Sequence, residues 1–512
     1  MATVPPAPEP RPLRLPAWAW AALATVLAFV YLRGVAVEPL RGEELTAALA
    51  AHEMLARGDF VVPRVLGEPF VGQPPLPSWL VALAAGGRTS GVGPAAVRLP
   101  GVLALAGAAL VVARLGVGAG SGAHALPALV LLSFALLPLQ SRAGDGSLVA
   151  ALLVTGALAA FELGRRRSSG ALQWVLAQSC VAAAALTQGM APVLFHAPAL
   201  VTAWRRRVPL RPVAFGAGFV VMLGLILAWV VPYARSGFAL AAVAQFSGGA
   251  SRPTGGGLLG LARPIGALGS LLLPWGAAAL AAALPRGRAA LRGLLADPWT
   301  ALCAATTLWA ATVFLFAGDA DLSSMVPALP AAAVLLSSIL TRADRTLAAA
   351  WPWAVVAAAW SAVLAATRPP GQAAELVAVG LLAIAAAWAV ARAFGVATAG
   401  LLAAGLLYGL VSSGSSLLAL AREQDELSQT ADTLAPYLRP ELPVVVRRSV
   451  DRRLAWLLVQ RLDRVVLERR PMPPYDLVAP AEALPLNAKL MAQAGGYCVW
   501  RVRLAGPPDP MP

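Results

Sequence analysis

Residues 211–232, RPVAFGAGFVVMLGLILAWVVP, carry no charged or amide side chain after Arg211. A helix of this length spans the roughly 30 Å apolar layer of a bilayer, because each residue adds about 1.5 Å. Comparable apolar runs occur at 17–37, 94–116, 123–140, 146–163, 171–187, 190–203, 262–284, 298–317, 323–340, 347–367, 372–393 and 397–420. Together these runs predict an all-α polytopic membrane bundle of about 13 transmembrane helices.

The composition of the 512-residue chain supports this interpretation. Hydrophobic residues make up 59% of it and charged residues only 13%, whereas soluble globular proteins carry about 25% charged residues. Because this number of charges is too small to cover a water-facing surface, most of the exterior is expected to face lipid. The net charge of +15 does not indicate nucleic-acid binding, because the arginines lie in short clusters between apolar runs and can contact anionic lipids there.

The arginine clusters predict the orientation of the bundle. With a cytoplasmic N-terminus, the even-numbered connections lie in the cytoplasm, and these hold the clusters 165–167 and 205–207. Cytoplasmic connections are enriched in Lys and Arg, which supports this assignment and an inner cell membrane location. The expected organisation is a cytoplasmic tail at 1–16, a transmembrane domain at 17–421 with its first extracytoplasmic loop at 38–93, and a C-terminal extracytoplasmic domain at 422–512.

Two regions outside the spans have recognisable periodicity. Residues 43–57 place Leu45 and Leu49 on one helical face, and 75–85 form a second amphipathic stretch. We expect both helices to lie along the membrane surface.

The share of polar residues rises from about Arg422 onward. A small α/β domain is predicted there, with strands at 444–446, 465–467 and 497–502 and a helix at 452–461.

Acidic side chains collect in the extracytoplasmic connections. Glu43 and Glu44 follow the first span, and Asp145 begins the fourth, three residues after Arg142, which could pair with it. Acids beside a bilayer are costly unless they are solvated or paired, so they are candidate functional residues. The alternative is structural, since acids at helix N-termini are favoured by the helix dipole.

No metal site is expected. The histidines His52, His124 and His196 are scattered along the chain. The three cysteines likewise lack the spacing of metal ligands.

The first loop has a distinctive order of residues. It contains Glu43-Glu44-Leu45-Thr46-Ala47, Glu53-Met54-Leu55, Gly58-Asp59, Pro63-Arg64, Gly67-Glu68-Pro69 and Pro74-Pro75-Leu76. This order resembles a signature of the C-type, family 39-like membrane glycosyltransferases, which are related to protein O-mannosyltransferases and to the lipid A aminoarabinose transferase. Later elements of the same family pattern are similar to Ala96–Pro100, Arg142–Asp145, Leu186–Gly189 and Pro327–Pro330.

The resemblance implies a GT-C fold and a specific reaction. Such enzymes move a sugar from a polyprenyl-phosphate donor in the membrane to an extracytoplasmic acceptor, which is a glycolipid, a glycan or a protein. The donor is a substrate, and no further cofactor is implied. Carried onto this chain, the pattern makes Glu43 the catalytic carboxylate and Asp145 a supporting acid. The substrate-binding residues that it implies are Glu44, Arg64, Gln73, Arg142 and Gln188.

The chain departs from the family pattern at charged positions. Glu43 stands where the family has Asp, and Gln73 and Gln188 stand where it has lysines. A glutamine amide donates a hydrogen bond but cannot neutralise a phosphate. The candidate cations to take the place of these lysines are Arg64, Arg142, Arg235, Arg252 and Arg263.

Two alternatives to an enzyme stay open on the sequence alone. A catalytically degenerate protein of the same fold could serve as a lipid-binding or assembly subunit, since two phosphate-binding cations have become amides. A transporter is the other alternative, although its polar residues would be expected at mid-membrane, whereas here they gather at one face.

Overall fold

A computed structural model of the chain describes most of the bundle and the C-terminal domain. The described residues are 15–70, 72–115, 124–166, 170–205, 212–238, 295–317, 322–342, 396–414, 417–469, 471–482 and 488–502, with single positions within 265–276 and 379–391. Five helical segments among them are long and apolar enough to cross a membrane, namely Pro94–Leu115, Ser147–Arg166, Val213–Phe238, Pro298–Leu315 and Ser323–Thr341. The protein is therefore a multi-pass membrane protein.

The described helices are numbered here in chain order. They are α1 (Ala17–Leu32), α2 (Glu43–Arg57), α3 (Leu76–Ala84), α4 (Pro94–Leu115), α5 (Leu126–Leu132), α6 (Leu137–Gln140), α7 (Ser147–Arg166), α8 (Ala171–Gln188), α9 (Ala191–Leu194), α10 (Ala197–Arg205), α11 (Pro212–Tyr233), α12 (Pro298–Ala317), α13 (Leu329–Arg342), α14 (Val396–Gly414), α15 (Leu417–Leu434) and α16 (Arg452–Leu462). A 3₁₀ segment, Leu322–Ala328, leads into α13.

Most predicted spans coincide with single helices, as α4, α7, α11 and α12 do. The total of about 13 stays a prediction. The run 347–367 lies outside the described residues, and 262–284 and 372–393 are described only at single positions.

Two predicted spans are broken into pairs of short helices. The run 123–140 contains α5 and α6, and the run 190–203 contains α9 and most of α10. A proline stands near the start of each short helix, as Pro127 and Pro138 do in the first pair. Proline favours the first turn of a helix but lacks the N–H that would continue a preceding one, so each run restarts instead of continuing.

Small residues lie at the centre of the bundle. Ala19, Ala108, Ala184 and Ala333 are fully buried in one apolar core, and alanine lets helix backbones approach closely in lipid. Helix α11 lies at the periphery of the bundle. Only 11% of its most apolar 18-residue stretch is buried, compared with 83% for the segment that contains α13.

The C-terminal domain is a five-stranded mixed sheet with helices against it. The chain first forms a small hairpin in the first loop, β1 (Arg64–Val65) with β2 (Glu68–Pro69), and the later strands are β3 (Val444–Val446), β4 (Val466–Leu467), β5 (Tyr475–Pro480), β6 (Ala488–Ala494) and β7 (Tyr497–Val502). Their order is β4-β3-β5-β7-β6, with β3 parallel to β4 and β5 and the other pairs antiparallel. The predicted domain boundary at 421 falls inside α15.

Helix α2 has the predicted bounds but a different environment. Eleven of its fifteen residues are buried, so most of its surface is covered by protein. Leu45 and Leu49 belong to an apolar core that also contains Val450 and Trp456 of the C-terminal domain. The amphipathic face of α2 thus packs against protein, and the position of this helix along the membrane surface stays a prediction.

Polar contacts join the first loop to the C-terminal domain at the same interface. The Glu468 amide donates to the Leu66 carbonyl over 2.7 Å, next to the hairpin β1–β2. His52 Nε2 lies 3.6 Å from Asp463 Oδ1, and its ring meets Trp456 edge to face at 6.4 Å. The C-terminal domain therefore packs against the first loop and is not a separate appendage.

Protonation of His52 should weaken this interface. Burial lowers the pKa of His52, although Asp463 favours the charged form. The unfolded chain therefore binds a proton more readily, so stability is complete above the ordinary histidine pKa of about 6.5 and falls as the pH drops below it. We expect the thermal unfolding midpoint to decrease as the pH is lowered from about 7.5 to about 5.5. The decrease should be smaller in His52→Gln.

The exposed histidine His124 gives the matched control for this experiment. His124→Gln should retain the full pH dependence of the wild type. Identical pH dependence in His52→Gln and the wild type would contradict the prediction.

Candidate functional site

A polar cavity of about 330 Å³ lies where α2, α4 and α7 begin. Its lining consists of Glu38, Arg41, Gly42, Glu43, Glu44, Arg98, Leu139, Gln140, Arg142, Ala143, Asp145 and Ser323. Seven of these side chains are ionisable, and they come from three separate segments of the chain. Such a concentration of charge at the ends of membrane helices is costly without a function.

Arg98 organises one wall of the cavity. Its Nε donates to Glu44 Oε1 over 2.6 Å and its Nη2 to Glu44 Oε2 over 2.9 Å, with both side chains buried. The same guanidinium donates to backbone carbonyls of the 34–39 segment, including that of Glu38 at 2.9 Å. The bidentate pair therefore ties the connection after α1 to the first turn of α2.

Arg142 forms a second ion pair, with Glu38. Its Nη1 donates to both carboxylate oxygens of Glu38 over 2.9 and 3.0 Å. Burial raises the pKa of Glu38, and Arg142 opposes that shift by favouring the carboxylate. Burial also lowers the pKa of Arg142, which remains a cation.

Asp145 is held by its own loop. Its Oδ1 accepts a hydrogen bond of 2.9 Å from the Ser147 amide, at the start of α7. The Gln73 amide donates to the Asp145 carbonyl oxygen, which joins α7 to the segment before α3. The loop is flanked by Gly144 and Gly146, whose φ values of +66° and +74° favour glycine.

Gly144 lets the Asp145 loop pass close to α2. A Cβ at this position would lie 3.0 Å from the Glu44 Cα and 3.1 Å from Val97 Cγ1. We expect Gly144→Ala to destabilise the protein by about 1–3 kcal/mol, measured by thermal unfolding, because backbone strain and crowding act together.

Gly86 provides the matched control for this substitution. It has the same φ of +66°, and nothing lies within 4 Å of where its Cβ would be. Gly86→Ala should therefore cost less than Gly144→Ala. Equal losses would show that crowding against α2 contributes nothing.

Glu43 and Glu44 have different environments although they are neighbours. Glu43 is exposed to the cavity, whereas Glu44 is buried and both its carboxylate oxygens accept hydrogen bonds from Arg98. Glu44 thus orders the cavity wall. Glu43 is the member of the pair that an incoming molecule can reach.

The remaining residues implied by the family pattern lie at different distances from the cavity. Gln188 donates to the carbonyl of Ser323, a lining residue, over 3.3 Å. Gln73 reaches the cavity through Asp145. Arg64 lies on the hairpin β1–β2 and is absent from the described lining.

Three charged lining residues, Glu38, Arg41 and Arg98, were not predicted as members of the site. Arg98 belongs to the Ala96–Pro100 element, but that element gave no indication that it binds Glu44. Arg41 precedes the acidic pair and has no motif. In the part of the chain that the structure describes, no three His, Cys, Asp or Glu residues are placed to hold a metal ion.

No protein-family model matches the sequence, and no curated protein matches it either. Solved structures do match. ArnT from Cupriavidus metallidurans bound to undecaprenyl phosphate superposes with a TM-score of 0.72 at 19% identity, covering 96% of this chain and 99% of that one. ArnT in the apo state gives 0.68 at 18% identity, with 94% and 97% covered.

The match to ArnT extends over nearly the whole chain. It shows that this protein has an ArnT-like GT-C fold, with a helical membrane bundle and a small C-terminal mixed sheet. The resemblance drawn from the first-loop signature is confirmed at the level of the fold.

Proposed function

We propose that the protein is a membrane glycosyltransferase that moves a sugar from a polyprenyl-phosphate donor to an extracytoplasmic glycolipid, glycan or protein. The observation that carries this proposal is one cavity, at the ends of membrane helices, whose lining includes both Glu43 and Asp145 together with three arginines. The ArnT structure of the same fold holds undecaprenyl phosphate, which supports a lipid-phosphate donor.

The proposed reaction uses Glu43 as a general base. An acceptor hydroxyl attacks the anomeric carbon of the sugar, the bond from that carbon to the phosphate oxygen breaks, and polyprenyl phosphate leaves with the electron pair. Glu43 takes the proton of the hydroxyl, which its exposure to the cavity permits. Asp145 supports the acceptor side, since Ser147 and the loop glycines hold its carboxylate in place.

The two ends of α7 support an extracytoplasmic cavity. The helix begins two residues after Asp145 and ends at Arg166, a length of 20 residues or about 30 Å. Arg165 and Arg166 at the far end pair with Glu162. Basic clusters favour the cytoplasmic side, so the cavity opens on the other side in this proposal.

The test is release of polyprenyl phosphate by the purified full-length protein. A panel of polyprenyl-phosphate hexoses and pentoses is supplied as donors, with a membrane extract as the source of acceptors. We expect release from at least one donor, dependent on the extract, and none above background from Glu43→Gln. Release that does not depend on acceptor or on Glu43 would overturn the proposal.

A second candidate function is a lipid-binding or assembly subunit without turnover. Its supporting observation is that the amides of Gln73 and Gln188 donate to backbone carbonyls, where the family has cations. This candidate predicts binding of polyprenyl phosphate with no release from any donor in the same assay.

A further inference from the structure

Three arginines line the cavity, and two of them are committed to carboxylates. Arg98 is paired with Glu44 at 2.6 Å, and Arg142 with Glu38 at 2.9 Å. The guanidinium of Arg41 makes no hydrogen bond or ion pair with any residue that the structure describes. Among the described residues, Arg41 is therefore the lining arginine whose guanidinium has no carboxylate partner.

The backbone of Arg41 is nevertheless held firmly. Its amide donates to Glu44 Oε2 over 3.0 Å, and its carbonyl accepts from the Glu44 amide over 2.8 Å. Because Arg98 fixes Glu44 in turn, the start of the Arg41 side chain is anchored while its charged end stays available. Binding of an anion therefore has to order the side chain of Arg41 but not its backbone.

The turn at Gly42 brings this cation to the mouth of α2. Gly42 adopts φ 48° and ψ −117°, and α2 begins there without a side-chain cap. Nothing lies within 4 Å of where a Gly42 Cβ would be, so the turn opens on the cavity. The positive end of the helix dipole therefore points to the same space as Arg41.

The surrounding charges leave Arg41 able to attract an anion. Glu38 and Glu44 act on it electrostatically, but Arg142 and Arg98 already neutralise them. Arg453 at the start of α16 acts on Arg41 as a like charge, but Asp451 already pairs with it over 2.8 Å.

We infer that Arg41 binds the phosphate of the polyprenyl-phosphate donor and so supplies a charge that the amides of Gln73 and Gln188 lack. The inference rests on the proposed function. A guanidinium suits this task because its planar fork meets two phosphate oxygens at once. Arg41 stands two residues before Glu43, so the phosphate and the carboxylate that accepts the proton face the same small volume.

The test measures lipid binding without turnover, by native mass spectrometry of the full-length protein in detergent. Undecaprenyl phosphate is compared with undecaprenol, which has the same chain and no phosphate. We expect the wild type to prefer the phosphate, and Arg41→Gln to weaken phosphate binding by about tenfold or more while leaving undecaprenol binding unchanged. Arg41→Lys keeps the charge and should retain part of the preference.

The control is Arg88→Gln, which removes an exposed arginine of the same loop and should bind like the wild type. A full phosphate preference in Arg41→Gln would overturn the role of Arg41 and leave the proposed function standing. A wild type without any phosphate preference would overturn both. Loss of both lipids in Arg41→Gln, not restored by Arg41→Lys, would assign Arg41 to folding and overturn its role in binding. Displacement of the lipid by equimolar inorganic phosphate would assign the site to a free anion instead.

Discussion

Replacing Glu43 with glutamine should lower the rate of sugar transfer by about 10²–10⁴-fold, the usual contribution of a positioned general base. Glutamine keeps the size of the side chain and its exposure to the cavity, but its amide cannot accept the proton of the acceptor hydroxyl. The loss should therefore appear in turnover and not in the affinity for polyprenyl phosphate. The measurement is the initial rate of polyprenyl phosphate release at saturating donor.

Two further variants make this result specific to the position of the carboxylate. Glu43→Asp keeps a carboxylate on a side chain shorter by one methylene, and it should lose less activity than Glu43→Gln. Glu68→Gln removes an acid of the same loop that lies on the hairpin β1–β2, outside the described lining, and should leave the rate unchanged. A Glu43→Gln protein with wild-type turnover would exclude Glu43 as the base.

Replacing Arg98 with leucine should destabilise the folded protein by about 3–5 kcal/mol, because a buried carboxylate loses its charged partner. Glu44 is buried in the pair, and backbone carbonyls of the 34–39 segment also lose their donor. Unfolding in detergent, followed by intrinsic tryptophan fluorescence, measures the loss. Arg88→Leu is the matched control, since Arg88 is exposed.

A double-mutant cycle separates charge burial from loss of packing. In Glu44→Leu/Arg98→Leu no uncompensated charge remains, so the double variant should be more stable than the sum of the single losses implies. Strictly additive losses would show that the two side chains do not stabilise each other.

Helices with a clear apolar period were predictable to within a few residues. The expected 43–57 and 452–461 correspond to Glu43–Arg57 and Arg452–Leu462. In both, leucines recur at helical spacing, and acids or a capping Asp451 stand at the start. This agreement arises because periodicity and capping are local properties.

Strands β5 and β6 were not predicted, for physical reasons that lie outside their own sequences. Strand β6 contains Lys489 and Gln493 among alanines, residues with low strand propensity. It forms because β7 offers an open edge, with which β6 pairs antiparallel. Such a strand depends on a neighbour that local sequence cannot specify.

The residues of the candidate site were likewise predictable only in part. The family pattern indicated Glu43 and Asp145, which the structure brings to one cavity. It did not indicate their surroundings. Arg142, for example, pairs with Glu38, which lies 104 positions away in the chain. Partners that distant are set by how helices pack, and the spacing of Arg142 and Asp145 carries no information on that.

The core that α2 shares with Trp456 also sets an order of events during synthesis. About 400 residues separate the helix from that tryptophan, so at roughly 5–20 residues per second α2 exists for roughly 20–80 s before its cover is made. An uncovered amphipathic helix binds the membrane interface, so we expect α2 to associate with the membrane surface in the nascent chain. The cover of α2 is thus added late, after Ser323, the last residue of the cavity lining, has been translated.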